Sequence, residues 1–507
     1  MRYMEGKFNM NNLADILIQN YNKIPNKICL IEDNKKIDFA ELYNKVCSFK
    51  EYLISKGIKK NYKVLILVPM SIELYVTLLS IWSIGAIPCF MDAGFIKSSI
   101  KNNSFEDIDA VIGISKYIVY SNINKNLRKI NLKINSSVIN KLKYNENVLQ
   151  NVALEKEFPA ILTYTSGTTG KPKIAARSHE FLNIQGKILA DIMKYEKEDI
   201  EISTIPIFTL SNINFGITTV IAKTNFSNLG KTNPFTLINQ INKNNVNRIM
   251  LSPGVLSIIT DYCIKRNVKF SNIKKVFSGG GAIFLDLIKN VQAVFKNSNM
   301  YTLYGSTEAE PIAILNVNEI TENDIKKINL GYGILAGNIV GVDKCYLIKT
   351  DKEKLGILNN DEFEKIKTAD VGEIVVSGEN VLKGYVNGIG DEKNKFNVEE
   401  VKFHRTGDLG RFDENGRLWL QGRIKEPFFN IEAYLHANYR IGKTAVFKNN
   451  GEIILVLEKK DKADLTGINR KIKFTKIDKV VYVKKIPVDK RHSTKVDYTL
   501  LRRMLKI

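Results

Sequence analysis

Short apolar runs recur between about residue 28 and residue 315, and stretches with helical spacing separate them: "VLILVP", "AVIGI", "ISTIPI", "NRIMLSP" and "KVFSGGG" are examples. A parallel strand pair needs a crossover long enough to hold a helix, so this alternation predicts α/β architecture with mostly parallel sheets. The pattern changes from about residue 340 to 420. There "KCYLIKT", "GEIVVSG" and "GRLWLQG" read as short strands with turn signals and no long helices between them, a small β-rich subdomain. The charged stretch "LGILNNDEFEKIKTADVG" reads as a loop. After Gly422-Arg423 comes a last small unit. It has a short helix around "IEAYLHAN", strands at "KTAVFKNN", "EIILVLEK" and "KVVYVKKIP", and a helix at "DYTLLRRMLK".

Composition excludes several classes of function. The formal charge of +22 comes from 75 Lys+Arg against 53 Asp+Glu and first suggests nucleic acid as a partner. Lys, Asn and Ile are abundant throughout, however, and no arginine-rich arm, finger spacing or repeat focuses the charge. No nucleic-acid partner is expected; anionic substrates or an acidic carrier protein suit the charge better. The five cysteines, at 29, 47, 89, 263 and 345, form no CxxC pair, which fits a reducing cytoplasm. His179, His404, His436 and His492 show no ligand spacing. The uncharged run Leu74 to Met91 has a membrane-like length. Gly85 and Pro88 interrupt it, so a buried helix followed by a short strand is the better reading, with no integral membrane segment.

One loop carries anion chemistry. In "TYTSGTTGKPK", Thr163 to Lys173, Gly170-Lys171 is followed by Pro172, so the stretch is not a Walker loop. Gly167 and Gly170 still permit close backbone approach, and Thr165, Ser166, Thr168 and Thr169 offer hydroxyls. Lys171 and Lys173 add positive charge, and the apolar run Phe158 to Leu162 reads as a buried strand delivering the loop. Four further stretches stand beside it: "SGGGAIF" from Ser278, "LYGSTEAEP" from Leu303, read as one short loop after the strand "NMYTL", "HRTGDLGRFDENGRLWLQGRIK" from His404 and "IPVDKRHSTKVDY" from Ile486. Taken singly, Gly279 to Gly281 is equally a turn, Asp408 a hairpin residue and Lys495 a solvated lysine. Their occurrence together and in this order is what carries information.

Together these motifs resemble the adenylate-forming superfamily of acyl- and aryl-CoA synthetases, luciferases and peptide-synthetase adenylation domains, over about residues 12 to 503. The resemblance implies a large N-terminal domain, 1–423, built of α/β subdomains and a small β-rich one. A small mobile α+β lid, 424–507, would follow and carry the catalytic lysine. It implies ATP and Mg²⁺. The loop Thr165, Ser166, Gly167, Thr168, Thr169, Gly170 and Lys173 would handle the departing phosphates. Tyr304 would stack on adenine, with Gly280 and Gly281 on its other side and Gly305 and Ser306 in the same motif. Thr307 would bond the α-phosphate, and Glu308 with Thr165 would hold the metal. Asp408 would take the ribose hydroxyls, Arg423 would support the ribose or the phosphates, and Lys425 would be the hinge. Lys495 would bridge the substrate carboxylate and the α-phosphate, because attack of one anion on another needs its charge neutralised.

The motifs "IPIFTLSNINFGITTVIA", "GNIVG" and Arg491-His492-Ser493-Thr494-Lys495 look most like the olefin-pathway β-lactone synthetases and their acyl-ligase relatives. That implies an aliphatic, 3-hydroxylated or plain fatty acid, with no aspartate placed to bind an α-amine. The acceptor stays open among CoA, a carrier-protein phosphopantetheine, an amine and the substrate's own 3-hydroxyl. A conventional acyl-CoA synthetase, a β-lactone synthetase and a carrier-loading ligase therefore all remain. A non-catalytic nucleotide-binding homologue would be expected to lose Lys495, Glu308 or Asp408, and all three are present. One departure stands out. After Lys425, relatives usually carry a glycine-rich hairpin and often a second lysine, whereas here "EPFFNIEAYLHANYR" has no glycine and places Phe429 at the lysine position.

Overall fold

The computed structural model describes residues 12–91, 107–144, 148–165, 173–225, 229–459, 464–489 and 495–507. The chain divides into two compact units, one running up to Ile221 with Gly384–Asp391 added, the other holding Ala222–Lys383 and Glu392–Ile507. The architecture is α/β, as the alternation of apolar runs predicts.

In the first unit, strands pair in the order Leu132–Asn135, Ala110–Gly113, Lys63–Leu67, Ile87–Met91, Pro159–Thr165, Lys173–Ser178. All neighbours are parallel except the last pair, which is antiparallel. The uncharged run is a buried helix, Ile72–Ile84, and then a strand, Ile87–Met91. Every residue of that helix except Glu73 is buried, so it needs no polar face. Ser71 caps it by accepting from the Leu74 N–H, and Gly85 ends it in the left-handed region at φ 76°. No helix among the described residues is long and apolar enough to cross a membrane. Of the run "ISTIPI" only Ile202 and Ser203 are strand, the end of Ile200–Ser203; Pro206 then opens the helix Pro206–Asn214, as proline readily does at a first helical position.

In the second unit, Arg248–Met250, Lys275–Gly279 and Asn299–Ser306 are parallel neighbours. The sheet then turns antiparallel through Ala309–Asn316, Ile334–Ile339, Leu418–Arg423, Val401–Phe412, Gly372–Ser377 and Lys344–Ile348. The expected β-rich segment is thus continuous with the α/β strands. Two expectations are corrected. The stretch read as one loop from Leu303 to Pro311 is a tight hairpin whose strands run through Ser306 and resume at Ala309. The charged stretch read as a loop holds the helix Asn360–Ile366, which Asn359 and Glu362 close with a capping box that a count of charges overlooks.

The end of the chain forms its own sheet. Thr444–Asn449 and Glu452–Glu458 are antiparallel, and Lys479–Val483 joins parallel to the latter after the crossover helix Leu465–Lys471. Helix Phe429–Asn438 packs on one face with Ile431, Tyr434 and Leu435, and helix Tyr498–Leu505 packs on the other through Leu501.

One buried ion pair ties the antiparallel strands together. Glu373 accepts from Arg405 Nε at 2.7 Å and from the Gly407 N–H at 3.2 Å, and both charged side chains are buried. Removing one partner leaves a buried charge uncompensated. Glu373→Ala is therefore expected to cost about 3–5 kcal/mol in chemical denaturation. Glu373→Gln, which keeps the acceptor, should cost less. An unchanged denaturation midpoint in the alanine variant would show that the pair contributes nothing.

Candidate active site

The strand pair Val401–Phe412 and Leu418–Arg423 sets Asp408 directly opposite Arg423. Between Glu373 and Val375 the neighbouring register slips, so that Ile374 faces the extra residues Thr406, Gly407 and Asp408. A bulge of this kind re-aims a side chain. Thr406 Oγ1 stabilises it by donating to Ile374 O at 2.9 Å and accepting from the Asp408 N–H at 3.1 Å. Both carboxylate oxygens of Asp408 are then engaged. Oδ1 pairs with Arg423 Nε at 2.9 Å, and Oδ2 accepts from the Tyr304 hydroxyl at 2.8 Å. Arg423 also donates from Nη1 to Thr406 O at 3.1 Å, which holds the guanidinium in place.

Burial raises the proton affinity of Asp408, and Arg423 and the Tyr304 hydroxyl oppose that rise. The Lys495 ammonium also lowers it while the Glu308 carboxylate raises it, so both lie within electrostatic reach of Asp408. The phenol of Tyr304 is held well above its ordinary range, by burial first and the Asp408 charge second. It is a fixed donor.

These groups face a cavity of about 1100 Å³ whose wall includes Gly280, Gly281, Tyr304, Gly305, Asp408, Arg423 and Lys495. Two glycines are required there. Gly280 has φ +82°, and a Cβ on Gly305 would stand 2.8 Å from Ala309 O. Gly280, Gly281 and Gly305 offer no side chain to the wall that Tyr304 shares, which suits a flat ligand.

Most of the sequence-predicted residues of the second unit thus meet at one cavity. Ser306 ends its strand and its hydroxyl accepts from the Glu308 N–H at 3.3 Å; Thr307 and Glu308 form the partly exposed turn that follows. The Leu382 N–H donates to Glu308 O at 2.7 Å and anchors that turn. Lys495 precedes the last helix, where its N–H donates to Asp489 Oδ1 at 3.0 Å. Lys425 is exposed, and the helix Phe429–Asn438 begins soon after it, as the missing glycines imply. In the first unit, Thr165 and Lys173 are paired across the strands Pro159–Thr165 and Lys173–Ser178. The Lys173 ammonium lies 5.4 Å from the centroid of the Tyr385 ring. Ser166, Gly167, Thr168, Thr169 and Gly170 lie outside the described residues.

A family model described as AMP-binding enzyme matches residues 18–386. The chain belongs to the AMP-binding enzyme family. It is thereby an adenylate-forming ligase. An olefin beta-lactone synthetase of Stenotrophomonas maltophilia is 24% identical over 409 residues, covering 76% of this chain and 72% of that protein. The 4-coumarate–CoA ligase 1 of Petroselinum crispum is 24% identical over 433 residues, covering 80% and 75%. Among solved structures, the o-succinylbenzoate CoA synthetase of Bacillus subtilis in complex with ATP and magnesium ion superposes with a TM-score of 0.76. It has 19% identity and covers 97% of this chain and 99% of that one. The likeness of fold thus takes in the part of the chain after residue 386 that the family model leaves out.

Motif reading missed a second polar group on the same cavity. Glu432 and His436, one helical turn apart in Phe429–Asn438, line it together with Thr444 and Asp286. The only sequence signal is that Glu-x-x-x-His spacing, in a helix whose remaining buried residues are apolar or aromatic. Burial pushes the Glu432 carboxyl from 4.5 up to about 8, against a hydrogen bond from Thr444. The folded chain therefore holds a proton there that the unfolded chain has released. Wild-type stability should fall as pH rises from about 4.5 to about 8 and level off above. Glu432→Gln removes this titration, so its thermal midpoint relative to wild type should rise across that window. A constant difference at every pH would contradict the raised carboxyl.

Proposed function

We propose that this ligase activates a fatty or 3-hydroxy fatty acid to its acyl-adenylate with ATP and Mg²⁺, releasing pyrophosphate, and that with a 3-hydroxy acid the acyl group then passes to the substrate's own hydroxyl. The observation that carries the reading is the Asp408 carboxylate, held by Tyr304 and Arg423 on the wall of a cavity that Lys495 also faces. A fixed carboxylate suits two vicinal ribose hydroxyls, and the tyrosine ring beside bare glycine backbone suits a purine.

Each residue of the second unit has a task in this reading. Tyr304 and Gly280–Gly281 seat adenine, Asp408 orients the ribose, and Arg423 keeps Asp408 ionised. Thr307 donates to the α-phosphate. Mg²⁺ is usually held by one or two carboxylates together with substrate phosphates, so the single partly exposed Glu308 fits it as a protein ligand. The ion supplies charge neutralisation at the phosphates. Lys495 brings an ammonium between the attacking carboxylate and the α-phosphate. Residues 424–507 act as a lid hinged at Lys425, and acyl transfer takes place in the lid position that also brings Lys495 to the cavity. The lactone outcome is supported by the β-lactone synthetase relatives and by Phe429 standing where many CoA ligases carry a lysine.

The test is ATP–pyrophosphate exchange over fatty, 3-hydroxy, aryl and amino acids, with mass spectrometry of the products. Exchange with the aliphatic acids and lactone from the 3-hydroxy acids is the expected result; rapid acyl-CoA formation with free CoA would favour a conventional CoA ligase. Lys495→Ala should slow exchange by ~10²-fold or more while ATP binding, measured by calorimetry, is retained. Exchange at the wild-type rate would remove Lys495 from the chemistry. Charged hydrogen bonds are worth about 1.5–3 kcal/mol each, so Asp408→Ala should raise the KM for ATP at least ~10-fold. If ATP affinity were unchanged and acyl affinity fell, Asp408 would belong to the acid's site.

A further inference from the structure

Beyond the nucleotide residues, the cavity wall carries four side chains joined end to end. Glu432 Oε1 accepts from Thr444 Oγ1 at 3.0 Å. The same hydroxyl lies 3.2 Å from His436 Nε2, and His436 Nδ1 lies 2.7 Å from Asp286 Oδ2. Phe284 stacks flat on the imidazole, with centroids 4.4 Å apart and planes 2° from parallel, which fixes the ring's orientation. Glu432, His436 and Thr444 are 4%, 8% and 5% exposed, whereas the Asp286 side chain is 37% exposed. The chain therefore runs from a buried carboxyl to a carboxylate that meets water.

Counting hydrogens shows what it can do. In its neutral form the imidazole gives its Nδ1–H to the Asp286 carboxylate, which leaves a lone pair on Nε2. The Thr444 hydroxyl then has one hydrogen and two acceptors, Glu432 and His436. With Glu432 ionised, the row is one proton short. Adding a proton at Glu432 satisfies every contact, because Glu432 can donate to Thr444 and Thr444 to His436.

We propose that Glu432, Thr444, His436 and Asp286 form a proton relay that takes the hydrogen of a hydroxyl acceptor during acyl transfer. The proposal rests on the acyl-adenylate reading above and specifies its second step. The hydroxyl oxygen attacks the acyl carbonyl carbon as its proton passes to the Glu432 carboxylate. The bond from carbonyl carbon to phosphate oxygen breaks, and AMP leaves with the electron pair. Glu432 then gives its proton to Thr444, and Thr444 gives its own to His436 Nε2. The resulting imidazolium faces the Asp286 carboxylate, from which the proton reaches solvent. A thiol is already ionised to a few per cent at neutral pH, whereas a hydroxyl keeps its proton until attack begins. A buried base is thus of most use to an alcohol. A hydroxyl on the acyl chain also reaches the site without a second ligand entering.

Glu432 is catalytic in this scheme; Thr444, His436 and Asp286 act through it. A base is most effective when it titrates near the working pH, and Glu432 does so at about 8. Among the other titratable groups on the same wall, Tyr498 senses the charges of Glu432 and Glu426, and Arg440, Lys443, Glu458, Lys485 and Lys495 also line it.

The test uses the full chain with decanoate or 3-hydroxydecanoate, ATP and Mg²⁺. Hydroxylamine, which attacks an adenylate without a protein base, reports the first step as hydroxamate; lactone reports the second. For Glu432→Gln and Thr444→Val the ratio of lactone to hydroxamate should fall ~10²-fold, the usual size of a general-base contribution, and Thr444→Ser should restore most of it. The wild-type lactone rate should rise with pH through about 8, and Glu432→Gln should abolish that limb. A wild-type ratio and pH profile in both variants, or wild-type hydroxamate without lactone, would overturn the relay and leave the adenylation reading standing. No hydroxamate from wild type with either acid would instead overturn the substrate reading. Infrared difference spectra, wild type minus Glu432→Gln at pH 7, judge the relay without substrate. A protonated-carboxyl band that shifts in Thr444→Val is expected; its absence would overturn the relay.

Discussion

The candidate site depends on one carboxylate held from both sides while partly withdrawn from water. Asp408 has a cross-strand arginine on one oxygen and a tyrosine hydroxyl from another part of the sheet on the other. Each contact offsets desolvation that burial imposes, and together they leave the carboxylate a single orientation. The constraint reaches outward. The bulge at Thr406–Asp408 exposes a backbone N–H at Gly407, and the buried Glu373 accepts it while pairing with Arg405. Stability and function therefore share the same strands.

A second constraint comes from the helix Phe429–Asn438. In a chain without the glycine-rich hairpin, this helix starts directly after the link and packs against the strands Leu418–Arg423 and Ile334–Ile339 and the helix Leu285–Val294. Its residues Phe429, Glu432 and His436 consequently line the cavity shared with Tyr304 and Asp408. Loss of the hairpin and gain of a buried acid–imidazole row are two sides of one packing choice.

The adenylate-forming architecture was legible in the chain because it rests on local patterns. Apolar runs of strand length, the capping serine before Ile72 and the breaker Gly85 are each readable without neighbours. The motif order around Tyr304, Asp408 and Lys495 is linear information of the same kind. Less legible were features that depend on partners. The helix Asn360–Ile366 is held by a reciprocal cap, and the turn at Thr307–Glu308 is a hairpin because Ala309–Asn316 pairs back on Asn299–Ser306.

By itself, then, the sequence determined the family, the α/β order of elements, the absence of a glycine-rich hairpin after Lys425 and the residue types offered to a nucleotide. Only the tertiary structure decided that Tyr304, 104 positions from Asp408, completes that carboxylate, and that Asp286, 150 positions from His436, completes the imidazole. The physical reason is the same in both cases. A propensity or a motif acts over a few residues, whereas a buried polar group is satisfied by whatever the packing of distant strands and helices brings within 3 Å, and no local pattern encodes that distance.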